Sequence, residues 1–118
     1  MKPGKQAAFL ANWTSQARKG FLELLVLNLL GRREHYGYEL VERIRDSSGI
    51  EINDGTLYAI LARLQKEGFI QHRWEHLEKG PARKYYDLTP DGKNALKEMR
   101  AVWEDMAGAV RKSGARNV

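Results

Sequence analysis

The clearest hydrophobic pattern in the chain lies between Asn53 and Gly68. Its apolar residues recur at helical spacing, in the order Leu57, Ile60, Leu61 and Leu64. On a helix they fill one sector about 100° wide. The opposite sector holds Gly55, Thr56, Ala59, Ala62, Arg63 and Lys66. Such a small and basic face lets a helix backbone come close to a negatively charged partner, whereas an ordinary solvated helix with chance alanines is the alternative interpretation.

Two further helices are predicted before this one. The segment 21–30 is apolar on nearly every side, which is typical of a central helix covered on several faces. We expect residues 1–14 to form a loosely ordered arm before it. A second helix is predicted from about Tyr36 to Ser47, ending at Gly49, where glycine suits a left-handed cap. The order of helix, short link and helix is that of a helix-turn-helix.

After Gly68 the period changes from that of a helix to that of a strand. The segments 69–75 and 82–88 carry aromatic and β-branched side chains, and a polar loop with Gly80-Pro81 separates them. This pattern predicts a β-hairpin, with Tyr86 and Leu88 on one side of its second strand. Because two strands alone are marginally stable in water, the hairpin must pack on the helices, as a wing does.

The last predicted helix begins at Thr89-Pro90, with threonine as the cap and proline in the first turn. Its apolar residues follow at steps of three and four, namely Leu96, Met99, Trp103, Met106 and Val110. Such a seam is typical of a helix that pairs with another. We therefore predict dimerisation through residues 90–112, followed by a polar tail over 113–118. Packing of the seam on the chain's own core is the alternative.

These elements predict a mainly α fold with a small β-hairpin. A winged helix-turn-helix domain over residues 15–89 would be followed by a C-terminal dimerisation helix. Composition supports an acidic partner such as nucleic acid, because 20 Lys and Arg residues outweigh 15 Asp and Glu in the 118-residue chain, for a net charge of +5. The chain has no cysteine, which suits the reducing cytoplasm. No apolar run reaches the roughly 18 residues of a membrane span.

One motif matches a catalytic signature but occurs in an unsuitable segment. The segment from His72 to His76 fits H-x-x-E-H, an inverted zinc-protease motif that operates on a helix. On a strand, residues four apart are about 13 Å apart, whereas zinc needs each nitrogen ligand at about 2 Å. There is also no Walker A loop and no Gly-x-Gly-x-x-Gly sequence. We therefore predict no enzyme activity, no catalytic residue, no metal site and no cofactor.

Two motifs at the openings of the second and third predicted helices carry a family resemblance. They are Tyr36-Gly37-Tyr38-Glu39-Leu40 and Gly55-Thr56-Leu57-Tyr58, supported further along by Arg63-Leu64, Glu67-Gly68, Arg83-Lys84-Tyr85-Tyr86 and Leu88-Thr89. With them the chain resembles the short, single-domain form of the PadR family of bacterial transcriptional regulators, over roughly residues 18–110. It departs at Ala59-Ile60, where the family often has proline. The resemblance implies a dimeric repressor of operator DNA, with aromatic ligands bound near paired last helices.

The pattern and the resemblance together predict a mechanism. Each copy of a homodimer would present residues 54–67 to a major groove of an inverted-repeat operator. Thr56, Ala59, Ala62 and Arg63 would face the groove, and Arg63 or Thr56 would contact a base edge. The remaining predicted DNA-binding residues are mostly phosphate contacts, namely Lys19, Tyr36, Tyr38, Asn53, Tyr58 and Lys66. Lys79, Arg83 and Lys84 form a cationic tip of the hairpin, which would place the wing on the flanking DNA backbone or in the minor groove.

Regulation is predicted at the dimer seam. Trp103 between Met99 and Met106 would form a flat, adaptable slot for a planar aromatic or apolar effector. Trp103 as a simple dimer anchor is the alternative. A winged-helix module that binds proteins and not DNA is the alternative function for the whole chain.

Overall fold

Four helices and a three-stranded antiparallel sheet make up the fold. The computed structural model describes residues 4–114. The helices are α1 (Lys5–Arg32), α2 (Gly37–Ser48), α3 (Asp54–Lys66) and α4 (Pro90–Ser113). The strands are β1 (His35–Tyr36), β2 (Ile70–Glu75) and β3 (Arg83–Leu88), in the sheet order β1-β3-β2. The predicted mainly α fold with a winged helix-turn-helix is thereby confirmed, with one more strand than expected.

The first helix is longer than the sequence pattern indicated. It runs unbroken for 28 residues from Lys5, so that residues 5–14, predicted as a loosely ordered arm, are helical. The reason is local, because this stretch is rich in alanine and lacks proline. Residues 1–3 of the predicted arm and 115–118 of the predicted tail lie outside the described part. Only the second half of α1 is buried in the core.

The core is shared by the three helices of the helix-turn-helix and the wing. The predicted inner residues of α3, Leu57, Leu61 and Leu64, are all buried, and Ile60 packs against them at its edge. They meet Leu27 from α1, and the remaining core members are Leu22, Val26, Leu30, Leu40, Ile44, Ile52, Ile70, Tyr86 and Leu88. The buried face of α3 therefore fixes which of its residues point outward.

Strand β1 was not expected, because Tyr36 was assigned to the start of the second helix. His35 pairs with Tyr86 of β3, and Tyr36 pairs with Tyr85. Tyr36 has extended backbone and caps α2, while the Glu39 carboxylate accepts the Tyr36 backbone N–H at 3.2 Å. Pairing with a distant strand thus delays the helix by one residue. The result is a wing joined by hydrogen bonds to the segment before α2.

Helix α4 starts where its sequence signal placed it. Thr89 caps it by accepting the backbone N–H of Gly92 at 3.0 Å. The predicted seam divides in the structure, because Leu96 and Met99 pack against the chain's own core, whereas Trp103, Met106 and Val110 are 39, 53 and 71% exposed. Leu96 and Met99 thus follow the alternative of packing on the chain's own core, whereas pairing with a second copy stays a prediction. No helix within residues 4–114 has an apolar stretch long enough to cross a membrane.

Candidate nucleic-acid interface

The outer face of α3 is fully available to a partner. Its predicted DNA-facing residues are all exposed, namely Thr56, Tyr58, Ala59, Arg63 and Lys66. Asn53, a predicted phosphate contact, caps the helix, and its side-chain oxygen accepts the Thr56 backbone N–H at 2.8 Å. The cap leaves only the amide NH₂ group of Asn53 as a donor. The helix start is therefore ordered before any ligand is bound.

Small residues form the middle of this face. Gly55, Ala59 and Ala62 lie opposite the buried Leu57 by helix geometry, and all three are exposed. With side chains this short, the α3 backbone can approach the floor of a groove closely. A B-DNA major groove is about 12 Å wide, which admits a helix. This line of small residues, the α3 ridge, thus has the lack of bulk that groove insertion requires.

On one side of the ridge, α3 faces the first half of α1 across an open cleft of about 1290 Å³. Thr56, Ala59 and Arg63 line it from α3, and Arg18 and Lys19 line it from α1. Arg18 was not among the predicted DNA-binding residues, although it directly precedes Lys19 in the sequence. The cleft brings three cations, together with two carboxylates, to one flank of the ridge, where a phosphate backbone bordering the groove would run.

Arg63 does not project freely from this flank. Its Nη1 donates to Glu23 Oε1 of α1 at 2.6 Å. The Arg63 side chain is 67% exposed, whereas that of Glu23 is only 16% exposed. The residue predicted to contact a base is thus already held by a carboxylate that sequence reasoning did not identify, because 40 residues separate the two.

On the other side of the ridge, α3 faces the wing. Tyr58, Gln65 and Lys66 of α3 and Lys84 of β3 line a smaller cleft of about 400 Å³. The Tyr58 ring rests on Gly37 at the start of α2, where an added Cβ atom would lie 2.8 Å from the phenol oxygen. Gly37 therefore leaves room for Tyr58 at the rim of the interface. Tyr38, in the same turn of α2, is 64% exposed.

The wing cations predicted to act together lie on opposite faces of the sheet. Lys84 lies opposite Trp74 on the neighbouring strand. Their side chains are on the sheet face that also carries His72 and Tyr86 and packs on the core. Arg83 lies on the other face, with its guanidinium carbon 4.6 Å from the centre of the Tyr36 ring. The structure thus places Lys84 beside α3, but places Arg83 and Tyr36 on the reverse of the sheet. Lys79 lies in the exposed loop between β2 and β3.

Trp74 is a candidate interface residue that the sequence patterns did not indicate. It is 56% exposed, and Lys84 Nζ lies 5.7 Å from the centre of its indole ring. His72, two residues earlier on the same face, contacts Gln65 of α3 with its Nδ1 3.1 Å from the amide oxygen. Strand alternation from Ile70 would have placed both side chains on the α3 side. The wing therefore offers an aromatic and a cation together next to the ridge.

The H-x-x-E-H motif lies in the extended part of the chain, as predicted. His72 is in β2 and His76 follows the end of that strand. Residues 4–114 contain no cluster of three or more His, Asp or Glu side chains suited to hold a metal ion.

Comparison with known proteins matches this geometry to a family. The PadR-like transcriptional regulator family matches residues 26–98, which is more than half of the chain. A transcriptional regulator of Mycobacterium tuberculosis is 30% identical over 93 residues, covering 79% of this chain and 85% of that protein. The crystal structure of a PadR family regulator from Eggerthella lenta covers 91% of this chain and 93% of its own, with a TM-score of 0.81 at 34% identity.

A second solved structure gives the same result. The PadR-like transcriptional regulator of Bacillus cereus is 32% identical, with a TM-score of 0.75 over 85% of this chain and 99% of its own. The family match favours the DNA-binding regulator over the protein-binding module as the function of the wing and α3. The chain therefore belongs to the PadR-like family of transcriptional regulators, and it is a DNA-binding regulator of transcription and not an enzyme.

Proposed function

We propose that two copies of the chain form a repressor that inserts both α3 helices into successive major grooves of an inverted-repeat operator. The observation that carries the proposal is the exposed small-residue ridge of α3, with cations on both flanks. For a two-fold dimer of this kind the half-site centres lie about 34–36 Å apart, one helical turn of DNA. The protein would work where the DNA is, in the cytoplasm.

The two flanks of α3 receive different roles in this proposal. Thr56 and Arg63, at the α1 side, contact base edges, and Lys19 holds the neighbouring phosphate strand. On the wing side the phosphate contacts come from Tyr38, Tyr58, Lys66 and Lys84. Lys79 follows the DNA backbone from the wing loop. Tyr36 and Arg83 stiffen the wing from its reverse face through their stacking.

Dimerisation is supported by apolar side chains left exposed on the two longest helices. Phe9, Leu10 and Trp13 of α1 are 71, 59 and 56% exposed, and Met106 and Val110 of α4 are similarly uncovered. Isolated exposed apolar residues are ordinary, but aromatic and aliphatic groups concentrated on two helices indicate an interaction surface. A second copy of this chain is the occupant we propose. Trp103, 5.6 Å from Phe21 between ring centres, would anchor it.

The effector site of the proposal lies at this seam. Trp103 and Met106 are partly uncovered on neighbouring turns of α4, and in this proposal a planar apolar molecule inserts there between the two copies. Such a ligand releases the operator only if it binds the DNA-bound and free dimer geometries with unequal affinity. The repressor would then respond to aromatic compounds by leaving the DNA.

Footprinting on the DNA upstream of the protein's own gene tests the proposal directly. We expect protection of an inverted repeat with half-sites one turn apart, and affinity that falls steeply with salt because phosphate contacts release counterions. Protection of one isolated half-site, together with a monomer in sedimentation, would refute the dimer. Titration with planar aromatics should quench tryptophan emission and release DNA in the wild type but not in Trp103→Ala. Quenching without release would refute the effector role.

A further inference from the structure

A carboxylate from α1 reaches the DNA-facing edge of α3. Glu23 accepts a hydrogen bond from Arg63 Nη1 at 2.6 Å, and it does so from a stretch of α1 whose neighbours Leu22 and Leu24 are buried. Buried neighbours on both sides fix the position from which the glutamate extends. The acid is therefore a fixed element of the interface, and the longer arginine adapts to it.

The ion pair can be kept when a ligand approaches. Glu23 is only 16% exposed with Arg63 in place, and the bond between them is charge-assisted, which makes it stronger than a neutral hydrogen bond. Arg63 has five N–H donors in a rigid fork. Within the described residues, only its Nη1 donates to Glu23. The Arg63 side chain is 67% exposed, which leaves the remaining guanidinium N–H groups free for a second acceptor.

We infer that Glu23 is a positioning residue that presents Arg63 to a base edge and thereby sets sequence discrimination. This rests on the proposed insertion of α3 into the groove. An arginine side chain loses much rotamer freedom when it makes a bidentate contact. The Glu23 bond removes that freedom before DNA is bound. Less of the free energy of the base contact is then lost to ordering the side chain, so that more of it separates the correct base from an incorrect one. In addition, the carboxylate repels phosphates, which weakens binding to DNA that offers Arg63 no base acceptor.

Glu23→Gln tests the inference, with Glu51→Gln as the matched control. Glu51 lines the same cleft, is exposed, and forms no ion pair within residues 4–114. Both substitutions remove one negative charge at a similar place. The measurement is the ratio of affinities for a site selected from random DNA by the wild type and for a scrambled duplex of equal length. Both variants should bind scrambled DNA about twofold more tightly from the charge change.

Only Glu23→Gln should lower the affinity ratio, by about tenfold, the effect expected when one bidentate base contact is misaligned. Glu23→Asp keeps the charge but shortens the reach, so it should also lower the ratio, and it remains informative if the glutamine variant folds poorly. In an Arg63→Ala background, Glu23→Gln should leave the ratio unchanged. An unchanged ratio in both Glu23 variants, or an equal loss in the Arg63→Ala background, would overturn the inference. A wild type that does not discriminate between the two duplexes would instead refute the proposed function.

Discussion

Gly92→Ala should destabilise the joint between the wing and α4. A Cβ atom added to Gly92 would overlap the Phe69 carbonyl oxygen and lie 2.9 Å from its carbonyl carbon. Both obstacles are backbone atoms, so neither can turn away as a flexible side chain would. The same joint is held by the Thr89 backbone N–H, which donates to that oxygen at 3.0 Å, and by the Thr89 hydroxyl, which donates to the Gly68 carbonyl oxygen at 2.6 Å.

The expected loss follows from these contacts. Forcing a methyl group into a packed site costs about 1–3 kcal/mol, and each weakened hydrogen bond costs about 0.5–1.5 kcal/mol. The free energy of unfolding should therefore fall by roughly 2–6 kcal/mol. For a chain of this length that corresponds to a drop in Tm of roughly 8–24 °C. Against a typical total of about 5–15 kcal/mol, this loss is a large share of the stability.

Thermal and urea unfolding followed by circular dichroism would measure the change, at a fixed protein concentration because a dimer's Tm depends on it. Gly20→Ala is the matched control. Gly20 lies within α1, and an added Cβ would meet nothing within 4 Å. There the same substitution should stabilise the protein by about 0.5–1 kcal/mol. A Gly92→Ala variant as stable as the wild type would refute the packing argument.

Three further outcomes are expected. Arg63→Ala should relax sequence preference by about 1–3 kcal/mol in competition binding, and equal losses on operator and random DNA would contradict its base contact. Lys84→Ala should weaken all DNA alike and reduce the salt slope by about one, whereas a selective loss would contradict a phosphate role. Burial lowers the pKa of His35, aided by the Arg33 and Arg43 charges and opposed by the Arg33 carbonyl bond. The contribution of neutral His35 to the free energy of unfolding is thus complete above about pH 6.5 and declines on acidification. Urea unfolding at pH 7.5 and 5.5 should therefore show a smaller decline in the free energy of unfolding for His35→Gln than for the wild type.

Local patterns in the sequence predicted most of the fold. The apolar period of α3 and the Thr89-Pro90 start of α4 are signals carried by neighbouring residues, and both elements appear where expected. Strand β1 has no such signal, because two residues become a strand only when His35 meets Tyr86, far along the chain. The early start of α1 was missed for another reason. Its first turns lack an apolar stripe that faces the core, although their helix propensity is high.

The candidate site was predicted less completely, because its contacts cross between elements. The exposed face of α3 follows from its period, but the bond from Arg63 to Glu23 joins α3 to α1 without any local mark. Arg83 and Lys84 are adjacent in sequence and therefore occupy opposite faces of β3. Treating both as one cationic tip ignored the strand's alternation. The same alternation would have added Trp74 to the interface.

The unbroken α1 has a mechanical consequence in the proposed dimer. At 1.5 Å per residue, its 28 residues form a rod of roughly 42 Å. Its C-terminal half is embedded in the core beside α3, while its N-terminal half extends beyond the core. A tilt of about 5° at the embedded end would displace the far end by roughly 2 Å. The distance between the two α3 helices would therefore depend on the angle between the two α1 helices of the dimer. An effector of a few atoms that changes this angle would change the operator spacing that the dimer accepts.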